Sequence, residues 1–545
     1  MRGLRLPFLI LLAVFFAAAD DEPKEATSNA PKNKLLLVSF DGFRYDLLNE
    51  TFAPFITEWA SNGTWFTNGV QSQYVTYTAP NHLSIITGLR EDRHGIVSNY
   101  FYDPESKQHF DIFNMTMKPG VVNSSLLEHW FAGEPIWLTN QKSGGRSAVL
   151  YWPAGDAVWP TEPRRPSWWR PWPGYGNESS WLRDVDELVD QLAMNETNFA
   201  TWYVAEPDHT LHTFGFYFDN KLKETMHRLD QIFRYLIGRL KDRGLLEGID
   251  IILTADHGHA EILGPKNVMC IPDFVHGEVG VDFEIGDHMI YPKDEQHAKD
   301  VFTNLTLAVK KFGYKIDVHY KKDLPERFHY SKTPRVGEII FEPEIGWAAS
   351  FNCNKSVLQK QYGDDLKGEY HSSTHGMDPA RKEMRALLVM NGPRFGVKRK
   401  IEELPENIDL YGLMAKLLGA TPAETDGSIE IVQKALLDAP SSFNPRGLYV
   451  PAVDSAAFLF FVVPSVCIVG LLMVYAWRRT IVMEDMGQWA VNENGYKPLA
   501  TIVNDAFEYS RTENRRIFPD TGVVNGGPMT GGRGLLNDSD SEEDF

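Results

Sequence analysis

The sequence predicts an α/β fold: a mostly parallel central sheet with helices on both faces. Short, mostly apolar runs alternate along the chain with amphipathic helical segments, the order that builds such a sheet. An aspartate also stands just beyond each of three of those runs, at Asp41, Asp208 and Asp256. That is the edge where open α/β sheets bind their ligands.

The first run, Leu35 to Phe40, follows a polar leader at residues 20–33 and ends at Asp41-Gly42. Its continuous apolar character is that of a buried parallel strand. The tract Trp159 to Gly176, dense in Pro, Trp and Tyr, reads as a long ordered loop near the surface. Trp181, Val185, Leu188 and Leu192 keep helical spacing, and Phe199 to Val204 then reads as a strand. Leu222, Met226, Leu229, Phe233, Leu236 and Leu240 line one face of a longer helix that stops near Gly244. Ile249 to Thr254 and Met384 to Met390 read as further strands, and the whole domain spans residues 34–430.

The flanks carry targeting signals. Arg2 and Arg5, an apolar stretch from Leu6 to Phe16 and the small residues Ala17 to Ala19 form a signal peptide over residues 1–19. Ser455 to Trp477 is uncharged and long enough to span a bilayer. Arg478 and Arg479 follow it and place the C-terminus in the cytoplasm. The expectation is a type I membrane protein of the cell surface or endosome-lysosome, anchored in the lipid bilayer by one C-terminal transmembrane helix, with residues 431–454 as a stalk. The tail, residues 478–545, is polar and expected to be disordered. Its Tyr496-Lys-Pro-Leu499 fits the Y-x-x-Φ pattern read by clathrin adaptors. Eight N-x-S/T sequons precede the span, at Asn49, Asn62, Asn114, Asn123, Asn177, Asn195, Asn304 and Asn354, which suits a lumenal domain. Outside the span only Cys270 and Cys353 remain, so at most one lumenal disulfide can form. A net charge of −19 argues against a surface that grips a nucleic-acid polymer. It leaves room for a phosphate substrate, because bound metal ions reverse the local field.

The chemistry is concentrated in SFDGFR around Asp41, TAPNH from Thr78 to His82, EPDHTLH from Glu206 to His212, TADHGH from Thr254 to His259, and STHGMD, which contains His375. Together they supply carboxylates and imidazoles of the kind that suit zinc. Asp208 and His212 are four residues apart, so one helical turn can aim both at one ion. Asp256 and His257 are adjacent and need an irregular turn to share one.

These segments resemble the ectonucleotide pyrophosphatase/phosphodiesterase family of the alkaline phosphatase superfamily, and most closely its type I membrane members. SFDGFR, T-x-PNH, ITGL, HGIVSN (His94 to Asn99), EPIWLTNQ (Glu134 to Gln141), EPD-x3-H, ADHGH and HGMD…ALLVMNGPRF carry the resemblance over about Lys34 to Ala420. It implies an alkaline-phosphatase-like fold and two zinc ions per chain. Asp208, His212 and His375 would bind one. Asp41, Asp256, His257 and the Thr78 hydroxyl would bind the other. Thr78 would be the nucleophile, passing through a phospho-threonine intermediate, and Asn99 would donate its amide to a non-bridging phosphate oxygen.

The implied activity is hydrolysis of phosphodiester or pyrophosphate bonds, of nucleotides or dinucleoside polyphosphates. Ala79 departs from the pattern, since nucleotide-cleaving members carry an aromatic there as one wall of a base-stacking slot. Tyr175 matches the other wall. The low cysteine count is a second departure. Two other readings stand beside the main one. A choline-phospholipid phosphodiesterase is compatible with an apolar residue at position 79. A non-catalytic receptor or adhesion domain on the same fold is opposed by the intact set of ligand residues.

Overall fold

A computed structural model describes residues 34–113, 127–217, 220–351 and 372–437. The strand β1, Lys34–Phe40, lies at the centre of an eight-stranded sheet, and Leu35 to Phe40 are all buried. The other strands are β2 (Thr64–Phe66), β3 (Arg146–Leu150), β4 (Trp168–Arg170), β5 (Thr197–Val204), β6 (Ile249–Thr254), and, later in the chain, Leu388–Asn391 and Arg399–Ile401. Between β6 and that last pair, a separate four-stranded antiparallel sheet is made by β7 (Phe283–Gly286), β8 (Met289–Pro292), β9 (Ile316–Tyr320) and β10 (Ile339–Pro343), in the order β7-β8-β10-β9. The late central strands are therefore β11 (Leu388–Asn391) and β12 (Arg399–Ile401), and the central order is β12-β2-β11-β6-β1-β5-β3-β4.

The sheet is mixed. From β6 through β4 every neighbouring pair is parallel, whereas β11 runs antiparallel to both β6 and β2. The expected strand at Met384 to Met390 is thus corrected in two ways: Lys382–Met384 is a 3-10 turn, and the strand is confined to Leu388–Asn391. Its direction has a simple cause. The chain arrives from His375 at the C-terminal edge of the parallel strands with no crossover helix, and a direct entry from that edge must run antiparallel.

The main helices are α1 (Pro54–Asn62), α2 (Thr78–Thr87), α3 (Ile136–Lys142), α4 (Glu178–Ala193), α5 (Asp208–Phe214), α6 (Lys221–Asp242), α7 (Glu295–Phe312) and α8 (Asp409–Leu418). All but α7, which packs on the four-stranded sheet, lie on the two faces of the central sheet. Successive strand residues point to opposite faces. Ser39 bonds His82 of α2, while Phe40 meets Phe233 of α6 edge to face. Helices α1 and α4 pack with α6, and α3 and α8 pack with α2. The helix α4 is started by Asn177, whose side chain accepts from the Ser180 N–H in a capping box.

The Trp159–Gly176 tract is more than a surface loop. Trp159 is fully buried against Trp137 and Phe131, and Trp168–Arg170 is the edge strand β4, parallel to β3. The packed chain also runs past residue 430, where a stalk was expected. Val432–Ala435 forms a 3-10 turn, and the Gly396 N–H donates to Ala435 O at 2.8 Å.

The insert around β7–β10 has its own core, in which Met269, Ile271, Val301, Leu305, Ile339 and Phe341 are buried with α7. Cys270, at the end of the short strand Val268–Cys270, is disulfide-bonded. Cys353 lies outside the described residues, as do the signal peptide, the span at 455–477, the tail motif at Tyr496 and Leu499, and the sequons at Asn114, Asn123 and Asn354. Among the described residues no helix is long and apolar enough to cross a membrane. Asn62, Asn177 and Asn195 are exposed, and Asn49 and Asn304 partly so.

Candidate active site

Each aspartate of the expected ligand set follows a central strand: Asp41 after β1, Asp208 at the start of α5 beyond β5, and Asp256 beyond β6. Because β6, β1 and β5 are parallel neighbours, all three carboxylates arrive at one edge. Gly42 makes the close approach possible. It has φ +66°, and a Cβ there would come within 3.0 Å of Asp208 Cβ and 2.9 Å of His259 Cδ2. Its N–H donates to Asp256 Oδ1 at 3.0 Å.

Two groups form from these residues. In one, His212 Nε2 and His375 Nε2 each lie 3.5 Å from Asp208 Oδ1 and 3.0 Å from one another. In the other, His257 Nε2 lies 3.1 Å from Asp256 Oδ2, 3.6 Å from Asp41 Oδ1 and 3.5 Å from the Thr78 hydroxyl. The rings of His257 and His375 stack with centroids 3.7 Å apart, so the two groups adjoin. Every residue of the expected ligand set is therefore brought together.

The donor set fits divalent cations. His257 Nδ1 faces the Gly258 carbonyl at 3.0 Å and His375 Nδ1 faces the Thr76 carbonyl at 2.7 Å. A carbonyl only accepts, so both Nδ1 atoms carry the proton and both Nε2 lone pairs point inward, as metal-binding imidazoles do. Asp41 Oδ2 accepts from the Tyr203 hydroxyl at 2.5 Å, which leaves Asp41 Oδ1 buried without a hydrogen-bond donor, like Asp256 Oδ2. Ligand atoms around one tetrahedral zinc at 2.0–2.2 Å stand about 3.3 Å apart, and the separations here scatter about that value.

The electrostatics agree. Burial and the charges of Asp256 and Asp208 push the Asp41 carboxyl well above its usual range. Burial would raise Asp208 too, but His212, His259 and His375 outweigh it and hold that carboxyl low. Three carboxylates at one sheet edge repel unless positive charge lies among them.

Thr78 is the first residue of α2, where the helix N-terminus favours negative charge on its oxygen. The rest of its motif is scaffold. His82 Nδ1 donates to the Thr78 carbonyl at 2.9 Å, and Ser39 donates to its Nε2 at 2.9 Å. Asn81 donates to the carbonyls of Val75 and Tyr77 and holds the turn into the helix. Asn99 Oδ1 accepts the Ala79 N–H at 2.7 Å, which leaves the Asn99 NH2 as a donor beside Thr78.

Ala79 is fully buried, so that position offers no open wall. Tyr175 is 64% exposed, stacks on His209 at 3.9 Å and meets Trp172 edge-on.

Sequence reasoning missed two functional neighbours. His259 stands in the ADHGH segment itself, and its Nε2 lies 2.5 Å from Asp208 Oδ1. Asp287, in the β7–β8 turn of the insert, left no signal in the sequence. Its Oδ2 accepts from the Ser98 hydroxyl at 2.6 Å and the Tyr100 N–H at 2.8 Å, on either side of Asn99. Asp287→Asn should therefore lower kcat about ten- to hundred-fold, the scale of a 1 Å misplacement, with metal content unchanged. Undiminished kcat in a folded variant would show that the clamp does not position Asn99.

Asp287 also has a pH signature. Burial pushes its carboxyl up to about 6 from an ordinary 3.8, against its hydrogen bonds. The fold then holds this proton more tightly than the unfolded chain does, so the contribution to stability is complete below about pH 4 and lost as pH rises through about 6. Asp287→Asn should remove that slope from a pH series of melting temperatures.

The geometry is that of a metal-dependent hydrolase. Residues 35–378 match the family described as Type I phosphodiesterase / nucleotide pyrophosphatase, and the chain belongs to that family, within the alkaline phosphatase superfamily. It is a hydrolase of the nucleotide pyrophosphatase/phosphodiesterase class. The chain is 30% identical over 440 residues to the bis(5'-adenosyl)-triphosphatase ENPP4 of Bos taurus, covering 79% of this chain and 87% of that one. It is 26% identical over 460 residues to ectonucleotide pyrophosphatase/phosphodiesterase family member 7 of Homo sapiens, covering 82% and 92%. Among solved structures, murine ectonucleotide pyrophosphatase/phosphodiesterase 5, an inactive threonine-to-alanine variant in complex with AMP, aligns with a TM-score of 0.64 at 28% identity. That alignment covers 74% of this chain and all of the other.

Proposed function

We propose that this chain is an extracytoplasmic two-zinc hydrolase that cleaves nucleotides or dinucleoside polyphosphates through a phosphothreonine at Thr78. The observation that carries this reading is the inward-facing set of Nε2 lone pairs and donor-free carboxylate oxygens around a helix-terminal hydroxyl. Asp208, His212 and His375 would hold one ion, and Asp41, Asp256, His257 and Thr78 the other. When bound, the ions lower the pKa of coordinated hydroxyl and water and polarise the phosphoryl oxygens.

The chain's own groups do the rest. Thr78 Oγ1 attacks phosphorus in line with the leaving group, forming the phosphothreonine, which water then hydrolyses. The Asn99 NH2 donates to a non-bridging oxygen as charge builds there. The His212 side chain is 37% exposed, against 3% or less for Asp41, Asp256 and His257. Water and leaving group therefore exchange through the Asp208–His212 side.

The relative named as a bis(5'-adenosyl)-triphosphatase and the AMP-bound neighbour support a nucleotide substrate, and the inactive threonine-to-alanine change in that neighbour supports a threonine nucleophile. With Ala79 buried, the exposed face of Tyr175 is the remaining surface for a base. A base stacked on an aromatic gains about 1–3 kcal/mol. Tyr175→Ala should therefore raise KM for a nucleotide ester by roughly five- to 150-fold and leave a base-free chromogenic phosphodiester unchanged. Equal effects on both would remove Tyr175 from the substrate site.

The direct test of the substrate class is a substrate panel with product mass analysis. A nucleoside monophosphate is expected; phosphocholine released from a choline phospholipid, with nucleotides untouched, would overturn the assignment. Exposed sequons at Asn62, Asn177 and Asn195 support the lumenal placement, which deglycosylation of the protein from a secretory host would check.

A further inference from the structure

We propose that a recess between the insert and the His375 segment binds a hydroxyl group on the leaving half of the substrate. The enzyme would then favour a ribonucleoside over a deoxyribonucleoside as leaving group. The proposal rests on the nucleotide-cleaving reading above.

The elements that meet at the recess place it beside the reacting atoms. Its walls include Tyr77, His288, Phe341, Ala349, Thr374 and His375. Tyr77 precedes the nucleophile, and His375 belongs to the Asp208–His212 group. His288 follows Asp287 in the β7–β8 turn, the turn that clamps the Asn99 segment. The Tyr77 ring meets His375 edge-on at 5.3 Å and His288 at 5.5 Å, whereas Tyr175 stands apart from them on His209. A leaving oxygen in line with Thr78 departs opposite that hydroxyl, on the side of Asp208, His212 and His375. The recess shares its His375 wall with that side.

One wall carries an acceptor that nothing in the fold uses. Tyr330 donates its hydroxyl hydrogen to the Val97 carbonyl, a closer contact than the 3.3 Å between its oxygen and His288 Nε2. A phenol has one hydrogen to give, so His288 Nε2 carries the ring proton and directs it at the Tyr330 oxygen. His288 Nδ1 keeps its lone pair and is buried with no hydrogen-bond partner. Burial keeps the ring neutral, its pKa drawn down to about 3. Buried acceptors left unpaired are uncommon, and each asks for a partner.

Size decides what that partner is. The recess offers about 30 Å3 to a water-sized group, and such a group needs at least about 10–15 Å3. That is room for a hydroxyl and too little for a base or a phosphate. Ribose supplies the hydroxyl in the right place. When a dinucleotide is cleaved to a nucleoside 5′-monophosphate, the leaving 3′ oxygen has the 2′-hydroxyl on the neighbouring carbon, and deoxyribose lacks it.

The test gives the full-length chain two dinucleoside monophosphates that share the retained 5′-nucleotide. They differ only in the leaving sugar, ribose or 2′-deoxyribose, and the released nucleoside 5′-monophosphate is quantified. The wild type should cleave the ribose substrate with a kcat/KM about 2- to 12-fold higher, the scale of one neutral hydrogen bond. His288→Phe keeps a ring of similar size without the acceptor and should bring that ratio to about one. The ratio cancels any general loss of activity. If His288→Phe fails to fold, Ala349→Leu, which fills the recess from its apolar wall, should collapse the ratio in the same way. Equal rates for the two sugars in the wild type would overturn the proposal, and so would a preference that survives in a folded variant. A wild-type chain that releases no nucleoside 5′-monophosphate from either substrate would instead overturn the parent reading, and this one with it.

Discussion

Thr78→Ala should reduce turnover by at least roughly three orders of magnitude, since a covalent route loses its attacking atom. Thr78 is buried at the first position of α2, and its hydroxyl makes one close polar contact, 3.5 Å from His257 Nε2. The change removes little packing, so folding and metal content should survive. Thr78→Ser keeps the oxygen and should keep more of the activity. The measurement is kcat on preparations matched for bound zinc and circular dichroism. An alanine variant that retains most of its activity would show that water, not Thr78, attacks phosphorus first.

Metal removal should have an effect of similar size. The purified protein should carry close to two zinc ions per chain and lose its activity to a chelator. Stability should fall with them. A ligand that binds only the folded state at 1,000 times its Kd contributes about 4 kcal/mol. Without the ions, Asp41, Asp208 and Asp256 confront one another at the sheet edge, where burial and the charges of its two neighbours push the Asp41 carboxyl well above its usual range. Melting with and without chelator, paired with metal analysis, checks both halves. An active preparation with fewer than one transition metal per chain would end the two-metal reading.

Much of this site was legible in the chain because its parts lie at the ends of the most strongly patterned elements. β5 and β6 are buried throughout and β1 from Leu35 on, so their runs are mostly apolar and the aspartates beyond them are easy to place. Asp208 and His212 share a face because four residues make one helical turn, and α5 begins at Asp208.

What escaped had no such pattern. β2, β4 and β12 have three residues each, too short for any period to show. The strands of the insert are four or five residues long and partly exposed, so its sheet could not be read from apolar runs. The direction of β11 depends on the route the chain takes from His375, which is a property of topology. The contact of His259 with Asp208 depends on how the segments beyond β5 and β6 meet at the sheet edge, which no spacing along the chain encodes. At Tyr175 the aromatic was visible, but its stacking on His209, 34 residues away, was not.

The reach of Asp287 into the Ser98–Tyr100 segment has a kinetic corollary. Local opening in proteins proceeds by cooperative units, and an amide exchanges with the unit that holds its acceptor. The Tyr100 N–H is held by the insert's β7–β8 turn, and the Asp287 N–H donates back to Tyr100 O at 3.1 Å. Hydrogen–deuterium exchange should therefore show Tyr100 opening together with Ile285 and Ile290 of the insert, and apart from Leu37 and Ile252 of the central sheet. The phosphate end of the catalytic cleft would then lose its shape whenever the insert breathes, while the metal-binding end, seated on β1, β5 and β6, stays closed.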